Sequence, residues 1–143
     1  MDILSIVLSP ILFALTTFIV LFLTQRFESK SKAKETKMAR IEKLYVPFYT
    51  YCLIMFYPEN DNSIVSKEIS AKFLDLFMKN ISYMSTDSQK HFKKFYLACL
   101  KNQHSKSDEL NLKNAFNNIG KSLTQDYQSL CKELKLEEPI ELF

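Results

Sequence analysis

The chain has 143 residues, 47% of them apolar, and 19 Lys and Arg against 16 Asp and Glu leave a net charge of +3. With an anchor of about 25 residues set aside, that length holds one domain with a real core but not two, and one Gly and four Pro are too few for the turns of an all-β domain. The charge is uneven: Arg26–Lys43 sums to +4 and Leu44–Phe143 to zero, so the chain is not broadly basic and carries one basic collar.

The first predicted helix is a membrane span over about Ile3–Thr24. Ile3–Leu23 is an unbroken, largely apolar run of 21 residues without a charged side chain. At about 1.5 Å per residue such a helix matches a hydrocarbon layer of roughly 30 Å. A cleaved signal peptide fits poorly, because the flank before the run is acidic and bulky Phe22, Leu23 and Phe27 stand where small residues belong. Pro10 is tolerable in a membrane helix. On a helical wheel Asp2, Ser5, Ser9 and Thr16 fall within a sector of about 60°, with Thr17 and Thr24 beside it. This polar stripe has three readings: a helix-packing face, the lining of a water-filled oligomer, or hydroxyls that merely satisfy their own backbone.

Gln25–Ala39 continues the helix. Its collar comprises Arg26, Lys30, Lys32, Lys34, Lys37, Arg40 and Lys43. Lys and Arg flanking a span stay cytoplasmic, which predicts the N-terminus outside and the remaining chain inside, with the collar on anionic lipid headgroups. Met38, Ile41, Leu44 or Tyr45, Phe48, Cys52 and Met55 form an apolar stripe that Pro47 should interrupt or kink. The uncharged stretch Tyr45–Tyr57 is too short to span a bilayer and reads as a buried helix, with a membrane-surface helix or a partner surface as the alternatives.

Pro58–Asn62 is a predicted loop, and Ser63 or Ser66 the cap of the next helix, whose apolar face is Ile69, Phe73, Leu76, Phe77 and Ile81. That helix should end between Asn80 and Ser85. Thr86 or Asp87 should cap another that runs to about Gln103, with Phe92, Phe95, Tyr96 and Cys99 inward. On its far side Lys90, Lys94 and Lys101, with Lys93 and His104 adjacent, form a basic stripe: a solvated face or a site for an anionic partner. Ser107 with Asp108 and Glu109 marks the last N-terminus. Leu112, Phe116, Ile119, Leu123, Tyr127, Leu130 and Leu134 then recur every 3.7 residues or so, which keeps one face inward on a nearly straight helix. Pro139 should stop it, and the tail EEPIELF docks or hangs free.

These elements predict an all-α chain: one N-terminal transmembrane helix followed by a cytoplasmic up-down four-helix bundle. The divisions are an anchor over 1–25, a collar over 26–43, a bundle over 44–136 and an acidic tail over 137–143. Chemistry is hard to find. His91 and His104 lie 13 apart with no C-x-x-C or H-x-x-x-H pair, so no metal is expected. The only glycine, Gly120, lies inside a helix, which excludes a phosphate-cradling loop and any nucleotide cofactor held by one. Cys99 with either histidine lacks a third orienting group. Cys52, Cys99 and Cys131 sit in apolar stretches and read as reduced core thiols. No catalytic residue or cofactor is expected, and the chain reads as a non-enzyme.

The layout of a single span, a basic collar and a compact helical domain resembles small bacterial membrane-anchored effectors of anti-phage systems, among them the membrane accessory protein of type VI-B CRISPR systems. That resemblance implies a degenerate HEPN-like bundle and assembly into a ring-shaped pore. The HEPN signature, an arginine followed four to six residues later by histidine, is missing, since neither Arg26 nor Arg40 has such a partner. The segment from Arg40 to Tyr49 (RIEKLYVPFY) is also similar to an element of uncharacterised bacterial and phage membrane proteins. The expectation is a self-associating inner-membrane protein that permeabilises the membrane in phage defence, its partners being membrane lipids, further copies of itself and a trigger complex, with nucleic acid a weak candidate. The alternatives are a membrane-tethered adaptor for a soluble protein partner and a phage-encoded exclusion or lysis-control protein.

Overall fold

The structure is a computed structural model describing residues 3–56, 67–101 and 105–143, with side chains throughout these ranges except at 3–12, 56 and 67. The chain is all-α, with no strand among the described residues. It divides into two compact units, Met1–Thr36 and Lys37–Phe143. The predicted loop at Pro58–Asn62, the caps Ser63 and Ser66, and the predicted end at Gln103 lie outside the described residues.

Helix α1 (Ile3–Arg40) is 38 residues long. Beyond Pro10 it contains neither Gly nor Pro, so nothing local terminates it. Pro47, expected to interrupt or kink the helix, does not end it. The helix passes instead through a π-turn (Ile41–Tyr45) into α2 (Val46–Phe56). Arg40 and Val46 on either side keep right-handed helical angles, and the Val46 N–H reaches back to Ile41 O. A proline within a helix clashes with the carbonyl four residues earlier and donates nothing to it. Widening the turn just before Pro47 takes those carbonyls out of the i−4 register.

The second unit packs the end of α1, the π-turn and α2 with α3 (Lys67–Lys79), α4 (Thr86–Lys101) and α5 (Lys106–Leu134). A 3-10 turn (Ile81–Tyr83) joins α3 to α4. The most extensive packing is α4 on α5. The core is aromatic: Tyr45, Phe48, Phe73, Phe77, Phe95 and Phe116 are fully buried. The five phenylalanine rings meet one another tilted or edge-on, as in Phe73 with Phe116 at 4.8 Å and Phe77 with Phe95 at 6.0 Å, an arrangement that ring quadrupoles favour, while Tyr45 stacks on Tyr127 at 5.3 Å.

The α5 stripe is largely as predicted. Leu112, Phe116, Ile119, Leu123 and Leu130 are buried, while Tyr127 and Leu134 are half-buried. Elsewhere the sequence reading needs correction. Ile81 is exposed, because the chain leaves the helix before it, and Tyr96 lies on the outer margin of α4. The cap of α4 is Ser85, whose Oγ accepts from the Ser88 N–H at 3.1 Å, rather than Thr86 or Asp87. The cap of α5 is Ser105 rather than Ser107: its Oγ accepts from the Asp108 N–H at 3.2 Å and donates to the Asp108 carboxylate at 2.7 Å. Each cap lies one or two residues earlier than expected because the hydroxyl must reach the N–H three positions on.

Helix α5 ends before Pro139. Lys135 takes left-handed angles (φ 57°, ψ 40°), and the N–H groups of Lys135 and Leu136 return to Lys132 O and Cys131 O. This is a Schellman closure made without glycine. The tail that follows docks: Phe143 stacks on Phe48 at 5.8 Å and meets Phe116 edge-on at 5.8 Å. The ring also covers Gly120, where a Cβ would fall 2.5–2.7 Å from its Cε1, Cδ1 and Cζ atoms. The single glycine of the chain is therefore a notch for an aromatic ring.

Candidate functional site: an apolar helix and the charges that follow it

In the first unit, α1 presents an apolar surface on every side between Phe13 and Leu23. From Phe13 to Leu23 no side chain is buried, and the large apolar ones range from 46% exposed (Leu23) to 74% (Phe13). The consecutive residues Phe18–Leu23 turn through more than a full circuit, so no polar face exists there. A helix apolar all round belongs inside a large protein core or a bilayer. With roughly 1.5–3 kcal/mol for each large apolar side chain taken out of water, on the order of 10 kcal/mol of burial is unrealised along this stretch. Among the described residues no helix is long and apolar enough to cross a membrane. The described side chains of α1 begin at Phe13, so residues 3–12 of the apolar run lie outside that statement.

Of the predicted polar stripe, Asp2 and the side chains of Ser5 and Ser9 lie outside the described residues. Thr16 and Thr17 both donate their hydroxyls to Phe13 O, at 2.9 and 2.8 Å, and Thr24 donates to Val20 O at 2.8 Å. A hydroxyl bonded back to its own helix turns its proton away from the surroundings.

The collar divides into two groups. Arg26, Lys30, Lys32 and Lys34 are exposed, with no ion pair among the described residues. The other three serve the second unit. Lys37 pairs with Glu133 on α5. Arg40 donates from Nε to Tyr83 O at 2.7 Å and from a terminal nitrogen to the Tyr45 hydroxyl at 3.2 Å. Lys43 reaches the Tyr83 hydroxyl at 3.3 Å and lies 5.5 Å from its ring centroid. Of the seven bases of the expected collar, four are thus without a bonded partner among the described residues and three bond within the second unit. The available signal that Arg40 serves the fold was its place four residues before Leu44 and next to Ile41, on the same helical face as the inward stripe.

A buried polar cluster between α4 and α5 escaped the sequence reading. The Ser88 hydroxyl is 2.9 Å from that of Ser122 and donates to Asp126 at 2.8 Å. Nearby, the Tyr49 hydroxyl donates to Thr124 Oγ1 at 3.1 Å. Burial and the Asp126 carboxylate push the Tyr45 hydroxyl up to about 12, opposed by the Arg40 guanidinium. His91 Nε2 is 3.6 Å from Asp87. Among the described residues Ser88 and His91 do not pair: Ser88 is fully buried and bonded to Ser122 and Asp126, while His91 faces Asp87. Cys99 is half-buried, and burial pushes its thiol up to about 11, the opposite of activation. Of the two histidines weighed as a base for Cys99, His104 lies outside the described residues. No group of three or more His, Cys, Asp or Glu converges as a metal site among the described residues.

The basic stripe of α4 is exposed at Lys90, Lys93, Lys94 and Lys101. Leu97 and Leu100, which the sequence reading had not placed on that side, are exposed beside them. No family model, curated protein or solved structure matches the chain.

Proposed function

We propose that the chain is a single-pass membrane protein. Helix α1 would hold the second unit, as an up-down four-helix bundle, at the cytoplasmic face of a bacterial inner membrane. The observation that carries this reading is the uncovered apolar circumference of α1 from Phe13 to Leu23. It is followed at once by the exposed bases Arg26, Lys30, Lys32 and Lys34, the order a cytoplasm-facing exit requires. The span counts residues 3–12 of the run, since eleven residues alone are too short.

Such a protein acts either as a tether or, through self-association of the span, as a pore in phage defence. The hydroxyls of Thr16, Thr17 and Thr24, turned onto their own carbonyls, favour the tether: they fit a helix wrapped in lipid without offering donors to a water column. The working part is then the helical domain, in a non-enzymatic role as an adaptor for a protein partner. The test has two stages. Membranes carrying the full chain are washed with alkaline carbonate, and the protein stays in the pellet; release into the supernatant overturns the anchoring. Purified chain is then reconstituted into planar bilayers. Absence of conductance supports the tether, whereas discrete conductance lost in a Ser9→Leu, Thr16→Leu variant that still inserts overturns it in favour of the pore.

A further inference from the structure

The outer face of α4 combines exposed lysines with exposed leucines. At 100° per residue Leu97 falls between Lys93 and the sector holding Lys90, Lys94 and Lys101, and Leu100 lies just beyond Lys93. Leu97 is 45% exposed and Leu100 57%. None of the four lysines has an ion-pair partner among the described residues. The only acid on α4 is Asp87 in its first turn, beside His91. The opposite face of the same helix, Phe92 and Phe95, is in the core. The helix is therefore fully supported from behind and presents a row of cations interrupted by leucines in front.

Leu97 and Leu100 add exposed apolar surface to this row of charges. A face for single-stranded nucleic acid would need exposed rings for stacking, and Tyr96, 39% exposed, packs its ring against Phe92 at 6.4 Å instead. Ammonium groups on long stems around short apolar residues are the pattern of a helix lying in a headgroup layer: the stems extend to phosphates while the leucines reach the acyl boundary.

We propose that the outer face of α4 docks on anionic phospholipid headgroups through Lys90, Lys93, Lys94 and Lys101, with Leu97 and Leu100 entering the layer. The inference rests on the membrane anchoring of α1. A domain already tethered to a bilayer needs little intrinsic affinity for it, because the tether raises the local lipid concentration. Four lysines, each strengthening attachment roughly fivefold near an anionic surface, suffice to hold one face of the domain down. Docking then depends on lipid charge and is reversed by salt.

The experiment is lysine acetylation of the full chain in nanodiscs of phosphatidylcholine alone or with phosphatidylglycerol added, read by mass spectrometry, with the exposed Lys113 and Lys121 of α5 as references. In anionic discs the four α4 lysines should label at least about fivefold more slowly than in neutral discs, and high salt should restore their rates. Leu97→Asp with Leu100→Asp, both at exposed positions, should abolish that protection. Equal labelling in the two lipids, from a chain that has entered the discs, overturns the inference and leaves the anchoring intact. Protection that appears only on adding RNA overturns it in favour of a nucleic acid. A chain that never enters the discs overturns the anchoring and this inference with it.

Discussion

Replacing Gly120 by alanine is the sharpest probe of how the second unit is closed. In the interior of a solvated helix the change gains about 0.8–1 kcal/mol, because glycine loses more backbone freedom on folding than alanine. Here the new methyl would lie 2.5–2.7 Å from three atoms of the Phe143 ring, so the ring must leave. Phe143 is half-buried, and half of a full Phe→Ala cost is about 2 kcal/mol. Subtracting the propensity gain predicts a net destabilisation of about 1 kcal/mol for Gly120→Ala. In a Phe143→Ala background, itself down by about 2 kcal/mol, Gly120→Ala changes sign and stabilises by about 1 kcal/mol. The assay is pulsed alkylation of the buried Cys52 thiol across a urea series, which reports opening of the core around α2 in the full chain in detergent. A Gly120→Ala protein more stable than the parent with Phe143 present would refute the notch.

Three further outcomes follow from the same structure. Ser105→Ala should cost about 1 kcal/mol by uncapping α5, and Ser107→Ala almost nothing, read by the same urea series. Asp126→Ala should cost about 1–3 kcal/mol, since Ser88 loses its carboxylate acceptor, and in an absorbance titration it should lower the pH at which Tyr45 ionises without restoring the ordinary value, because burial is the larger cause. Alkali should unfold the domain. Burial raises Cys52 from 9.0 to about 12, Cys99 from 9.0 to about 11 and Tyr45 from 10.0 to about 12. The folded state holds these protons more tightly, so their stabilisation is complete below pH 9 and is lost as pH climbs through 9 to 12. The urea midpoint should fall between pH 8 and pH 10, and a flat profile would contradict this burial.

The helices were legible because their signal is periodic and local. The α5 stripe repeats over more than six turns, so an error at one position does not move the face. Failures occurred where the deciding partner is remote or small. Phe143 docks on Gly120, more than twenty residues back, and an apolar residue in an acidic tail does not announce a glycine as its partner. Ser88, Ser122 and Thr124 are buried, yet hydroxyl residues carry no hydrophobic period. The π-turn arose from Pro47, whose presence predicts a disturbance but not its form. Of the collar, charge alone could not separate bases that bond within the domain, such as Arg40, from those left to solvent, such as Lys32. The α4 lysines were visible in sequence, but the leucines among them gained significance only when the packing showed which face of α4 is turned away from the core.

The end of α1 also has a mechanical side. Its last turn is fastened to Tyr83, 43 residues on, through Arg40, and to Glu133, 96 residues on, through Lys37. A pull applied along this helix would therefore be shared between the middle and the far end of the domain's sequence, and those attachments would be strained together rather than one after another. Force on the neck would meet resistance from several segments in parallel, so the domain should yield abruptly under load rather than unravel from its first residues.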